Sequence, residues 1–104
     1  MRVILDECLP KRLDGHILGH EVTTVPLAGF AGYKNGKLLA AVEDKFDVFV
    51  TIDANLQWQQ KLESLNIIVV VIRSTSNSLD DLIPLAPKMM SAILGGEGVI
   101  RHVS

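Results

Sequence analysis

Asp6, Glu7 and Asp53 are the residues of this 104-residue chain best suited to chemistry, because each stands at the end of a short apolar run. Val3-Ile4-Leu5 leads into Asp6-Glu7, and Val48-Phe49-Val50-Thr51-Ile52 leads into Asp53. Both runs read as strands, and in an open parallel sheet the carboxyl ends of the strands lie along one edge. Carboxylates gathered there repel unless a cation sits among them. Mg2+ and Mn2+ prefer oxygen ligands, and Mg2+ commonly needs only one or two carboxylates, with water and substrate phosphates completing its shell. Asp6 and Asp53 supply that minimum. In phosphodiester hydrolysis such a metal orients and acidifies the attacking water and offsets charge on the leaving oxygen. The competing explanation is structural, since strand-ending aspartates often cap the helices that follow them. Glu7 faces away from Asp6 if the strand continues, because successive side chains alternate, and it suits a local bond as well as a ligand role.

Alternating elements must position these acids. Met1 to Leu5 reads as a strand, and Pro10 opens a helix to about Leu18, stopped by Gly19. Glu21 to Val25 is a second strand, and the loop from Pro26 to Lys34 carries glycines at 29 and 32. Asn35 reads as the N-cap of a helix from Gly36 to about Lys45, with Leu38, Leu39 and Val42 at helical spacing. Asp47 to Ile52 returns as a third strand, a helix follows Asp53 to about Leu65, and Asn66 turns the chain. Ile67 to Ile72 is apolar throughout, as in strands buried on both faces. Ser78-Leu79-Asp80-Asp81 resembles a capping box for a helix to Leu94, and Val99 to Val103 is a last strand. This alternation predicts a single α/β layered domain over residues 1–104, with a mostly parallel central sheet and right-handed crossovers. Asp6, Glu7, Asp53 and Ser74 to Asn77 fall at its carboxyl edge.

Composition narrows the function classes. The net charge of -2 argues against a general nucleic-acid coating protein, which needs Lys and Arg to neutralise phosphates. A metal site still allows a phosphate chain to bind. One cysteine, Cys8, excludes an intrachain disulfide and fits a reducing cytoplasm. No secretory or membrane-length apolar run is present, so a soluble cytoplasmic protein is expected. His16 and His20 have i, i+4 spacing, but Gly19 breaks the helix between them and no third zinc ligand stands at a recognisable spacing. His20 is then expected near the acidic edge, and Cys8 as a small packed residue. Lys11, Arg12, Lys34, Lys37 and Arg73 stand near the predicted edge as phosphate contacts, with surface solvation the simpler role for Lys37. Gln57 to Gln60 offer a partner surface, while Trp58 equally suits packing on the sheet.

Four motifs in order carry a resemblance. Leu5-Asp6-Glu7-Cys8-Leu9-Pro10 resembles the LDENLP opening of a family of short PIN-like proteins, a domain of unknown function related to toxin ribonucleases. Gly19-His20-Glu21-Val22 resembles its GH-x-V start of the second strand. Gly29-Phe30-Ala31-Gly32 resembles its G-x-x-G loop, and Val50-Thr51-Ile52-Asp53 its VTxD strand end. The resemblance spans residues 1 to about 72. It implies a three-layer PIN-like fold, a Mg2+ or Mn2+ site and RNA cleavage, with some relatives acting as toxins held by an antitoxin. Asp6 and Asp53 match the family's acidic metal positions, with Glu7 the adjoining acid. The chain departs from the family at Asn35, where an acid usually starts the helix after the loop, and at Asn55, where TxDxDF becomes Thr51-Ile52-Asp53-Ala54-Asn55-Leu56. An Asn carbonyl still ligates a cation, so Asn35 joins the candidate ligands, but fewer carboxylates mean weaker binding.

Two rival classes follow. A response-regulator receiver also places an acidic pair after its first strand and a phosphorylated Asp after its third, which Asp6-Glu7 and Asp53 imitate, with Ser74 or Thr75 after the fourth. The Lys that such a domain carries after its fifth strand is missing. The other rival is a binding module that kept the fold and lost catalysis, as an antitoxin-bound or homodimeric partner; Asn35 and Asn55 are its support.

Overall fold

The computed structural model describes residues 1–33, 35–52, 66–95 and 99–104. Its strands are β1 (Arg2–Leu5), β2 (Glu21–Thr24), β3 (Val48–Thr51), β4 (Ile68–Ile72) and β5 (Ile100–Val103). Its α-helices among the described residues are α1 (Asn35–Val42), α2 (Leu79–Leu82) and α3 (Ala86–Gly95). The strands form one sheet in the order β2-β1-β3-β4-β5, and all four pairings are parallel. The expected α/β layered domain with a parallel central sheet is therefore present.

The apolar strands are explained by burial on both faces. Val3 and Leu5, Val48 and Val50, and Val70 and Ile72 point to one face, where Leu13, Ile17, Leu82, Met89 and Ile93 cover them. Ile4, Phe49, Val69 and Val71 point to the other, under Leu38, Leu39 and Val42 of α1. Period-2 alternation within each strand thus supplies two cores from one sheet. In α3 the buried residues are Ala86, Met89 and Ile93, one stripe at helical spacing. Arg101 closes the far end of that helix by donating from Nη1 to the carbonyls of Ala92 and Ile93 at 2.8 and 3.0 Å.

Several elements differ from expectation. The helix from Pro10 is a 3-10 turn over Lys11–His16, with Pro10 as its cap; Gly15 lies within it and weakens any longer helix. The helix foreseen from Ser78 to Leu94 is divided into α2, a 3-10 turn over Ile83–Leu85, and α3. Pro84 and Pro87 lack the N–H groups that a continuous helix would need there, whereas Pro87 is tolerated in the first turn of α3. Ser78 precedes α2 without a side-chain capping bond. Helix α1 begins at Asn35 itself rather than one residue later. The helix foreseen after Asp53 lies outside the described residues, as do Lys34, Asn55 and Trp58. No helix among the described residues is long and apolar enough to cross a membrane.

Gly29 and Gly32 turn the loop after β2 with φ of +90° and +84°. A Cβ at Gly29 would meet nothing within 4 Å, so conformational strain alone sets the cost of adding one. Gly29→Ala is expected to lower stability by about 1–2 kcal/mol, the left-handed penalty for an L residue, as read from urea unfolding.

Candidate functional site

Strand β1 sits at the point where the strand order reverses: the chain leaves it for β2 on one side and returns to β3 on the other. Open α/β sheets form their ligand crevice at such a switch point, beyond the carboxyl ends of the strands. Asp6 follows β1 there, and its backbone N–H still reaches across to the Val50 carbonyl at 2.9 Å.

The Asp6 carboxylate is held from three directions. Oδ2 accepts the Thr51 hydroxyl at 2.7 Å and the Cys8 thiol at 3.4 Å, and Oδ1 accepts the Glu7 N–H at 2.8 Å. A carboxylate offers about four acceptor positions, so one on Oδ1 is left over. Thr51 is fully buried in a strand whose other members are apolar. A buried hydroxyl needs a partner, and the Asp6 carboxylate supplies one. Thr51→Val keeps the shape but removes that charge-assisted bond. It is expected to cost about 1.5–3 kcal/mol in thermal or urea unfolding.

Cys8 lies beside this pair, its Sγ 4.0 Å from Thr51 Oγ1, and packs against the first core. Burial pushes its pKa up; a backbone hydrogen bond at Ile52 opposes the rise, and the negative Asp6 adds to it. The thiol is thus a poor nucleophile at neutral pH. Slow alkylation by iodoacetamide at pH 8 is expected. Asp6→Asn, by removing the adjacent charge, should speed it.

The loop after β4 closes over the same edge. Asn77 Nδ2 donates to the Cys8 carbonyl at 2.9 Å, joining that loop to the turn after β1. Within it, Ser76 Oγ donates to Asp81 at 2.5 Å and Thr75 Oγ1 does so at 3.4 Å. The Ser76 bond holds the Asp81 carboxyl below its usual range; burial opposes it, and bonds from Ser78 and Thr75 add to it.

The other sequence candidates are distributed as follows. Glu7 is exposed and its side chain has no hydrogen bond to another described residue. Lys11 and Arg12 are exposed at the start of the 3-10 turn, without an ion pair to a described residue. Arg73 is exposed beyond β4, where its backbone N–H pairs with the Val103 carbonyl at 2.7 Å. Asn35 starts α1, and Asp53 lies outside the described residues, two positions after Thr51 in sequence. His20 is not at the acidic edge. It precedes β2, at the amino edge, where its Nδ1 lies 3.2 Å from the Met1 amino group. Parallel pairing puts the starts of β1 and β2 together, away from Asp6.

Among the described residues no three His, Cys, Asp or Glu side chains converge as a metal cluster. Asp6 is a carboxylate held in place there with an acceptor position left over, and carboxylate oxygen is the ligand type that hard cations take. Sequence reasoning found Asp6 but missed Thr51 and Asn77 as its supports. The lone hydroxyl in Val48-Phe49-Val50-Thr51 was the available signal for the first; Asn77 was expected at the carboxyl edge with Ser74, but its bond to the Cys8 carbonyl spans 69 positions. Compared with known proteins, the chain matches no protein-family model, no curated protein and no solved structure.

Proposed function

We propose that this protein is a PIN-like, Mg2+- or Mn2+-dependent ribonuclease whose cation is held by Asp6 and Asp53. The observation that carries the reading is the Asp6 carboxylate, fixed at the β1/β3 switch point with one acceptor position unspent. A bound cation would supply Lewis-acid activation of water and charge stabilisation at the phosphodiester. The chain's own residues do the positioning. Thr51 and the Glu7 N–H fix the carboxylate plane, so little side-chain entropy is left to lose on metal binding. Asn77 ties the β4 loop against the turn that carries Asp6. Asn35 and Glu7 serve as second-rank ligands or orienting groups, and Lys11, Arg12 and Arg73 as phosphate contacts. A cytoplasmic toxin restrained by an antitoxin is the biological setting that the resemblance implies.

Mn2+ titration of the purified protein tests the site. Binding that disappears in Asp6→Ala and in Asp53→Ala supports the reading; a protein that binds no Mn2+ ends it.

One observation favours a second reading. The strand order 2-1-3-4-5 is that of flavodoxin-like sheets, which receiver domains share. The chemistry of a phosphoacceptor calls for an ammonium near its aspartate. Lys88, in the first turn of α3, reaches the carboxyl end of β5 but donates there to the backbone oxygen of Ser104 at 2.6 Å. Labelling of Asp53 by acetyl phosphate would nonetheless favour the receiver.

A further inference from the structure

On the side of the sheet that α1 covers, three cations rest on three aromatic rings. Lys37 Nζ lies 4.4 Å from the ring centre of Tyr33, Lys45 Nζ 5.4 Å from that of Phe30, and the Arg2 guanidinium 5.0 Å from that of Phe46. Phe30 and Tyr33 are themselves 5.5 Å apart and tilted by 59°. Helix α1 joins the carboxyl end of β2 to the amino end of β3, so it runs back across the sheet. The stripe follows it, from Lys37 in its first turn at the carboxyl edge to Lys45 and Phe46 beyond its end. A cavity of about 390 Å³ opens along the stripe, lined by Arg2, Glu21, Thr23, Phe30, Lys45 and Phe46 among others, with the one acid, Glu21, beside Arg2.

All three rings are only partly buried, and all three cations are exposed. Lys37 and Lys45 have no ion pair with another described residue, while Arg2 lies 3.9 Å from Glu21. Rings that reach solvent beside unneutralised ammonium groups match the two chemistries of an unpaired polynucleotide: flat apolar bases and a regular row of anions. We infer that this stripe binds single-stranded RNA, with a base entering the Phe30–Phe46 cavity. The inference rests on the ribonuclease reading for the nature of the polymer, and on the stripe for where it lies.

Binding exchanges one set of contacts for another. An incoming base takes the ring face now covered by the ammonium of Lys45, and the displaced ammonium meets the adjacent phosphate. A duplex offers its phosphates but keeps its bases stacked inside, so it gains only half of this exchange. The overall charge of -2 means that the attraction is local, and affinity should fall steeply with salt.

The test uses the full chain in EDTA, where metal-dependent cleavage is silent, with a fluorescein-labelled 2′-O-methyl RNA decamer followed by anisotropy between 50 and 200 mM salt. The single strand is expected to bind, and its duplex to bind more weakly. Each phosphate neutralised on a single strand contributes about 0.7 to the slope of log affinity against log salt, so the double variant Lys37→Gln/Lys45→Gln should flatten it by about 1.4. Both lysines are exposed, so the variant should still fold cooperatively, with a melting temperature lowered only by the loss of two surface ring contacts. Phe30→Leu keeps an apolar side chain but removes the stacking face, and should weaken binding about fivefold or more. No binding at 50 mM salt, an unchanged slope in the double variant, or equal affinity for the duplex would overturn the inference. Binding by the stripe without metal-dependent cleavage sinks the ribonuclease reading and leaves this one standing. Metal-dependent cleavage by a protein whose RNA affinity ignores both lysines does the reverse.

Discussion

Replacing Asp6 with Asn is expected to lower Mn2+-dependent cleavage of RNA by roughly 100-fold or more, and Asp53→Asn to do the same. Loss of a residue that merely orients a metal ligand commonly costs 10–100-fold, and loss of a ligand costs at least as much. The substitution at position 6 is informative because Asn keeps the size of Asp. Its single carbonyl oxygen, placed where Oδ2 now lies, still accepts the Thr51 hydroxyl at 2.7 Å, while the amide NH2 gives up the bond from the exposed Glu7 N–H to Oδ1. The fold should survive while the charge is gone. Cleavage of a panel of single-stranded and structured RNAs, with Mn2+ added and withdrawn, is the measurement. An activity that persists in Asp6→Asn would move the chemistry elsewhere, and a wild-type protein with no metal-dependent activity would favour the binding module. Excess Mn2+ should rescue neither variant fully, because the lost group is a charge.

Phe49→Ala carries the largest expected effect on stability. Phe49 is among the largest fully buried side chains, at the middle of β3, with Ile4 and Val69 on the flanking strands and Leu39 and Val42 above it. Truncation removes its apolar burial and leaves a cavity that rigid neighbours fill only in part, a cost of about 3–5 kcal/mol. A domain of this size is stable by roughly 5–15 kcal/mol in total, so much of that margin disappears. The melting temperature should fall by about 12–40 °C in calorimetry. Phe49→Leu retains most of the volume and should recover well over half of the loss. Equal damage from both substitutions would mean that shape, rather than filled space, sets the stability of this face.

The layered fold was legible in the chain because the central strands are almost entirely apolar, with β4 apolar at every position, and because Leu38, Leu39 and Val42 mark one side of a helix. Such patterns are local, and burial on two faces leaves little choice of partner. The shortening of the first helix to a 3-10 turn and the division of the last were also written in Gly15, Pro84 and Pro87. Their weight against the apolar periodicity was harder to judge, since packing decides such contests. The candidate site was legible at its acids and in the placing of Ser74 to Asn77 at the carboxyl edge, but not in its bonds. Asp6 announces itself by following a strand, whereas Thr51 and Asn77 act over separations of 45 and 69 residues, beyond any spacing rule. His20 was misjudged for a related reason: a residue's neighbours along the chain do not say which edge of the sheet it occupies until strand direction is fixed.

The position of β1 between β2 and β3 also bears on how the protein emerges from the ribosome. Once the first 24 residues are made, β1 can pair with β2, but its other edge stays open until residues 48–51 arrive. An unpaired strand edge beside three buried apolar residues is a template for pairing with the wrong chain, so this interval is the vulnerable stage of synthesis. The bond between Thr51 and Asp6 forms only when that edge closes. The carboxylate is therefore oriented by the same event that ends the hazard, and a nascent chain carries no finished site before its sheet is sealed.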